Sequence, residues 1–313
     1  MALTDLGHTL VIANPVAQSG AGAEGARFVE RALGAIEGVT RGFEIRLTRG
    51  PKDATQLARA ASSFDTVLAL GGDGVIHEVV CGLMELPAAA RPQLGVVPLG
   101  SGNDFARTLG MARNDAEAAF AQLVRGAARP IEIGRVNGVP FMQTFSFGLD
   151  ASIALDTTAR RANDSLQEGE ALFITSGLKV LSQAKRGWRC RASFDGEEPL
   201  DLEELIFAVQ VGPSYGGGFK ICPEADPEDG LLDVCYNVRR PAVPVILGLF
   251  GMARWGGHAR SHVVRLRRFA RAVVDFEEEP PCQIDGEGFS GTHFEIEVVP
   301  QALRVIFPSG AAR

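Results

Sequence analysis

The sequence predicts an α/β domain followed by a mainly β domain, and three observations carry that prediction. Short apolar runs alternate with helical stretches up to about residue 130; two of these runs open into polar glycine loops; and beyond Arg129-Pro130 the pattern turns to strands. Strands alternating with helices at this spacing indicate a parallel doubly wound sheet.

Taken in order, a strand at 9–13 ends at Asn14-Pro15, and the segment from Ser19 to Gly25 leads into a helix through Ile36. A strand at 43–47, a helix at 54–61, a strand at 66–70, a helix at 75–86, a strand at 94–97 and a helix at 115–125 follow. Residues 131–136 and 139–147 flank Asn137-Gly138, a hairpin signal because Asn-Gly supplies the two positive φ values of a type I′ turn. Further strands are expected at 205–211, 231–237, 272–276, 294–299 and 303–307, interrupted by a helix at 170–184. The domain boundary is placed near residue 130.

A chain of 313 residues suits two domains. Its 46% hydrophobic and 22% charged residues describe an ordinary globular protein. A net charge of −7 argues against a nucleic-acid partner, and the arginines from Arg254 to Arg271 are read mostly as a solvated face. Five cysteines, odd in number and without a Cys-x-x-Cys pair, fit small core residues in a reducing compartment. No basic region precedes an apolar stretch at the N-terminus, so no signal peptide is expected. The apolar run 243–253 falls short of the roughly 20 residues that span a bilayer. The expectation is a cytoplasmic protein that touches a membrane, at the inner face, at most peripherally.

Two loops carry the chemistry. The run ending in Gly71-Gly72-Asp73-Gly74 exposes backbone N–H groups and lets a phosphate approach without Cβ interference. It reads equally as a tight turn with Asp73 capping the next helix. The second loop, Gly100-Ser101-Gly102-Asn103-Asp104, opens from the strand at 94–97 with two glycines, a hydroxyl, an amide and a carboxylate. In an open α/β sheet, ligands sit at the carboxyl ends of the strands, so both loops could serve one crevice.

Gly20-Ala21-Gly22-Ala23-Glu24-Gly25 matches the dinucleotide fingerprint literally. The second strand, however, closes on Leu47-Thr48-Arg49 without the acid a ribose needs, and the first glycine lies six residues beyond Asn14. A glycine-rich loop is the preferred reading over a dehydrogenase.

In this order the motifs resemble the diacylglycerol kinase catalytic family, which includes bacterial lipid kinases and sphingosine kinases. The matching pieces are Asn14-Pro15 with Ser19-Gly20, Thr48, Gly71-Gly72-Asp73-Gly74 with Glu78, the segment from Pro98 to Arg107, and Gly148-Leu149-Asp150-Ala151. They continue with Tyr215-Gly216-Gly217-Gly218-Phe219, Cys222-Pro223, the run from Asp229 to Val234, and Asp285-Gly286-Glu287.

The resemblance implies an ATP-binding α/β domain over 1–130, rejoined by a returning strand at about 302–313, and a β-sandwich-like lipid domain over 131–301, with the active site in the cleft between them. It implies a kinase using ATP and Mg²⁺ to phosphorylate a hydroxyl of diacylglycerol or a related lipid presented at a membrane surface. Phosphates would meet Asn14, Ser19, Gly71, Gly72, Asp73, Gly74, Gly100, Ser101 and Asn103, with Thr48 nearby and Mg²⁺ at Asp73 or Asp104. Asp285 is the candidate base with Glu287 beside it, on one side of a continuing strand; the alternative is an Asp-Gly hairpin with two exposed acids. Asp226, Asp229 and the Leu231 carbonyl resemble the site of a second, structural Mg²⁺, or form a plain acidic turn.

The chain departs from the family at Val75, where threonine is usual, and at His77, where asparagine is usual; His77 reads as a helix-surface or pocket-lining residue. Leu155, Leu172, Phe173, Leu178, Val180 and Leu181 are candidates for an acyl pocket, with core packing as the alternative. An NAD kinase and a nucleotide-binding regulator are the rival functions, and homodimerisation is left open.

Overall fold

The computed structural model describes residues 3–162, 169–182 and 187–309. The chain divides into two compact units, one of residues 1–131 with 301–313 and one of residues 132–300.

The first unit is built on parallel strands, of which the three inner ones are almost wholly buried, as apolar runs without alternation demand, while the edge strand Thr40–Leu47 has no buried residue. In chain order it contains β1 (Gly7–Ala13), α1 (Ala21–Ala35), β2 (Thr40–Leu47), α2 (Asp53–Arg59), β3 (Thr66–Gly71), α3 (Asp73–Met84), β4 (Gln93–Pro98), α4 (Asp104–Leu109), α5 (Ala116–Leu123) and the start of β5 (Ala127–Val136). The sheet order is β2-β1-β3-β4, every pair parallel. The returning C-terminal strand joins β4 in parallel at Val305 and Leu94. Residues 310–313 of that expected strand lie outside the described residues. Asp115 caps α5 by accepting the Ala118 N–H at 2.9 Å.

Gly22 and Gly25 of the apparent dinucleotide fingerprint lie inside α1. A Cβ on Gly22 would stand 1.9 Å from the Asn14 carbonyl oxygen, and one on Gly25 would stand 2.8 Å from Leu99 Cδ1. These glycines let the helix pack closely rather than forming the flexible loop expected from the sequence.

The second unit is an antiparallel sandwich. Its elements are β6 (Val139–Phe141), β7 (Thr144–Phe147), α6 (Gly148–Ala162), α7 (Gly169–Ser182), β8 (Trp188–Phe194), β9 (Leu200–Glu204), β10 (Ile206–Gln210), β11 (Leu232–Asn237), α8 (Val243–Ala253), β12 (Val264–Phe269), β13 (Arg271–Phe276), β14 (Cys282–Ile284), β15 (Glu287–Phe289) and the first part of β16 (His293–Phe307), whose residues from Gln301 on belong to the first unit. One sheet runs β12-β11-β10-β7-β14-β15; in the other, β16, β13, β8 and β9 are neighbours in that order. Phe145, Phe147 and Phe207 of the first sheet pack with Phe194, Phe276 and Phe294 of the second in one buried cluster. Phe147 and Phe294 meet at 4.7 Å between ring centroids. Strand β13 alternates exposed and buried along its whole length, the period-2 pattern of a strand with one face in a core.

Three differences from the sequence expectation have physical causes. The run 139–147 breaks into β6 and β7 because the intervening backbone donors turn to Asp285. The two expected strands at 294–299 and 303–307 are one strand, β16, which carries its irregularity at Pro300 and at Gln301 with φ +49°. Helix α6 was not expected; its Leu149 and Ile153 are buried at i, i+4 spacing. The last two residues of the expected helix at 170–184 lie outside the described residues. Among the described residues no helix is long and apolar enough to cross a membrane.

Candidate functional site

In the first unit the two glycine loops lie side by side, because neither has a side chain where they meet. A Cβ on Gly100 would come within 2.4 Å of Gly72 Cα, and one on Gly72 would lie 3.2 Å from Gly100 Cα. The Leu99 N–H donates to the Gly71 carbonyl at 2.8 Å, extending the β3-β4 register to the loop bases. Gly74 is exposed, and a Cβ there would meet nothing within 4 Å, so its surroundings can receive a group.

The side chains around these loops hold the backbone in place. Asp73 Oδ1 accepts the Phe105 N–H at 3.3 Å, so the carboxylate expected to cap its own helix caps α4 instead. Asn103 adopts φ +52° and is buried, and its amide donates to the Gly100 carbonyl at 2.6 Å and to Asn114 Oδ1 at 3.0 Å. Asn114 Oδ1 also accepts the Gly100 N–H at 3.1 Å. Asp104 is buried, with Arg107 Nε at 3.6 Å. Ser101 is half-buried.

Asn14 continues β1 by donating its N–H to the Leu70 carbonyl at 2.9 Å, and the Thr48 N–H reaches the Ala13 carbonyl at 2.9 Å. Both residues thus stand at the carboxyl ends of parallel strands, where a doubly wound sheet places its ligands. Ser19 is exposed, with φ +54°. Glu78 caps α2, accepting the Lys52 and Ala54 N–H groups at 2.8 and 3.1 Å. His77 is a buried residue of α3, its Nε2 3.4 Å from Cys81 Sγ, and so is not on the helix surface.

In the second unit Asp285-Gly286 is the turn of the β14-β15 hairpin, with φ +46° and +91°. The strand expected to continue past Ile284 stops there, so Asp285 and Glu287 do not share a strand face. The Asp285 carboxylate accepts the N–H groups of Met142, Gln143 and Thr144 at 2.8, 3.0 and 2.8 Å. Glu287 opens β15, paired with Ile284 and exposed. Helix α6 supports the hairpin: Thr158 Oγ1 donates to the Gly286 carbonyl at 3.1 Å.

Near the acidic turn, Asp226 and Asp229 are exposed and each accepts a backbone N–H two residues on, at 3.0 Å. Arg268 reaches Asp229 at 3.3 Å. Glu132 of β5 is buried: Oε2 accepts the Gly230 N–H at 2.8 Å, while Oε1 has no hydrogen-bond partner among the described residues. Burial, reinforced by Asp229, Asp226 and Asp233 and opposed by the Gly230 bond, pushes the Glu132 carboxyl up to about 8. Asp233 is pushed up to about 7, chiefly by burial. Among the described residues no group of three or more His, Cys, Asp or Glu side chains is placed to hold a metal ion. The unpartnered Glu132 oxygen amid neighbouring carboxylates nevertheless suits a hard cation that takes oxygen ligands. The Leu231 carbonyl follows in the same turn.

Of the six acyl-pocket candidates, Phe173 and Leu181 line an apolar cavity and Leu178 is exposed. Sequence reading missed Glu132 and Asn114. Glu132 sits between buried Ile131 and Ile133, where alternation gives no warning, and Asn114 lies in an ordinary loop.

Comparison with known proteins agrees with this architecture. Residues 8–136 match the diacylglycerol kinase catalytic domain, and residues 143–307 match the YegS C-terminal NAD kinase beta sandwich-like domain. A Bacillus subtilis protein named diacylglycerol kinase is 32% identical over 75% of this chain and 76% of its own length. A Pseudomonas aeruginosa protein named probable lipid kinase YegS-like is 31% identical over 90% of each chain. A crystal structure of a diacylglycerol kinase from Bacillus anthracis superposes with a TM-score of 0.80 at 22% identity, covering 100% of both chains, and shares the fold. Catalytic-domain match, C-terminal domain match and relatives matched over 75% and 90% of the chain agree: the chain belongs to the diacylglycerol kinase family of lipid kinases.

Proposed function

We propose that the protein transfers the γ-phosphoryl group of ATP to a hydroxyl of diacylglycerol or a related lipid. The observation that carries this reading is the packing of Gly72 on Gly100, backbone against backbone, with open space around Gly74. Donor phosphates then meet main-chain N–H groups at strand ends, as in other phosphate-binding loops. Asn14, Ser19, Thr48 and Ser101 supply polar groups around them. Asp73 and Asp104 are the carboxylates that would hold Mg²⁺ with the nucleotide, and Asp226, Asp229 and the Leu231 carbonyl, with Glu132 behind them, would hold a structural one. When bound, the metal neutralises phosphate charge in a loose, in-line transfer.

The acceptor hydroxyl must still lose its proton. Asp285 already accepts three backbone N–H groups, whereas Glu287 is exposed on the adjoining strand. We therefore assign the base to Glu287, which takes the hydroxyl proton as the oxygen attacks the γ-phosphorus and ADP leaves. Asp285 sets the hairpin from which Glu287 projects.

The test is incubation of purified protein with Mg-ATP labelled at the γ-phosphate and diacylglycerol in mixed micelles. Labelled phospholipid is expected. Label on NADP from an NAD control, or tight ATP binding with no transfer to any lipid of a broad panel, would overturn the proposal.

A further inference from the structure

The turn that follows β1 stands in a conformation its residues resist. Gln18 adopts φ +45° and ψ +55°, and Ser19 adopts φ +54° and ψ +33°. This left-handed region crowds a Cβ against the backbone, so two such residues in succession need contacts that hold them there. Packing does not supply them: of residues 16–19 only Ala17 is buried, and Val16 is 75% exposed. Among the described residues the bond that fastens this turn to another strand end runs from Gln18 Nε2 to the Gly100 carbonyl, at 3.1 Å.

That bond crosses the sheet. The order β2-β1-β3-β4 puts β3 between the two strands whose ends Gln18 joins, so the side chain reaches from one flank of the Gly71-Gly72 turn to the other. It lands on an anchored peptide. The Gly100 carbonyl also accepts from Asn103 Nδ2 at 2.6 Å, and the Gly100 N–H donates to Asn114 Oδ1 at 3.1 Å. Asn114, at φ +57°, donates its own N–H to the Pro98 carbonyl at 2.9 Å. The other end of the strap carries two polar side chains proposed above to meet the phosphates. One is Ser19, which is exposed; the other is Asn14, whose Oδ1 accepts the Val16 N–H at 3.1 Å. With that oxygen engaged in the turn, the Asn14 NH₂ is the group from which a phosphate oxygen can accept.

We propose that Gln18 is a positioning residue for the donor nucleotide: its strap to Gly100 holds the turn after β1 in its left-handed form and so sets where Asn14 Nδ2 and Ser19 Oγ meet the phosphates. The inference rests on the reading of these loops as the ATP site and adds to it a residue that touches no phosphate itself. The strap shapes the site equally for bound ATP and for the transition state, so its loss raises KM for ATP and leaves kcat nearly unchanged. The KM for the lipid acceptor stays where it was.

The experiment uses the full chain with two variants. Gln18→Met keeps the length of the side chain and removes the donor; Gln18→Gly removes the donor and also the strain of a Cβ at φ +45°. ATP affinity is measured by titration calorimetry with Mg²⁺ present, stability by melting temperature, and KM for ATP and for diacylglycerol from initial rates. Both variants should bind ATP at least fivefold more weakly and show KM for ATP raised in proportion, with KM for diacylglycerol within twofold of the parent's. Gln18→Gly should melt at no lower temperature than Gln18→Met, which separates the loss of binding from a loss of stability. A change in ATP affinity below fivefold in either variant, a KM for diacylglycerol that rises in step with that for ATP, or a glycine variant that melts below the methionine one overturns the proposal. Weakened ATP binding in the variants of a parent that transfers phosphate to no lipid supports the positioning role and overturns the lipid-kinase reading, whereas a parent that binds no ATP overturns both.

Discussion

Asp285 and Thr144 are locked to each other in both directions: the Thr144 N–H donates to Asp285 Oδ1 at 2.8 Å, and the Asp285 N–H donates to the Thr144 carbonyl at 2.9 Å. The acid at the tip of the β14-β15 hairpin thus also fixes the start of β7. Asp285→Asn would place an amide NH₂ against backbone donors and leave at least one of them unpaired. A loss of about 1–3 kcal/mol is expected, lowering the melting temperature by several degrees. Thermal unfolding checks this, and an unchanged melting temperature would sink the structural role.

The two glycine loops separate packing from ligand contact. Gly100→Ala forces a Cβ to within 2.4 Å of Gly72 Cα and should lower both stability and ATP affinity. Gly74→Ala meets nothing within 4 Å, so it should leave the melting temperature unchanged while weakening ATP binding by about tenfold, roughly 1.4 kcal/mol. Calorimetric titration with ATP on both variants reads the difference. If Gly74→Ala binds ATP as the parent does, the phosphates lie elsewhere.

Glu132 makes stability depend on pH. Its folded pKa, about 8, lies above the ordinary carboxylate value of 4.5, so between these values the folded state holds a proton that the unfolded state has lost. Stability from this group is full below about 4.5 and is lost as pH rises towards 8. In buffer with a chelator, urea unfolding should show stability falling from pH 5 to pH 8, and Glu132→Gln should flatten that slope. A steeper slope in the variant would contradict the assignment.

If Asp226, Asp229 and the Leu231 carbonyl hold Mg²⁺, millimolar Mg²⁺ at pH 8 should raise the melting temperature without nucleotide, because a ligand that binds only the folded state stabilises it. Asp229→Asn should abolish that rise. A rise of equal size in the variant would locate the ion elsewhere.

The alternation of strand and helix, the Asn137-Gly138 turn and both glycine loops were legible in the sequence because each follows from a local period or a local φ requirement. The glycine loops could be read down to Gly72 and Gly100. What stayed hidden depends on partners distant in sequence. Nothing local in the sequence tells that the Asp285 carboxylate accepts from Met142, Gln143 and Thr144, more than 140 residues away. Gly22 and Gly25 imitate a dinucleotide fingerprint until Asn14 and Leu99 are seen beneath them. Glu132, inside an apolar strand, is revealed only by the Gly230 N–H it accepts and the acids around it.

The central claim is that Glu287 is the base of a lipid kinase and that Asp285 sets its hairpin. The most direct measurement is the initial rate of phosphoryl transfer from Mg-ATP to diacylglycerol in mixed micelles, for the parent protein and Glu287→Gln, with melting temperatures in parallel. Loss of general-base catalysis predicts a fall of about 10²–10⁴-fold in kcat, with the melting temperature unchanged. A Glu287→Gln variant that keeps the parental kcat would contradict the account.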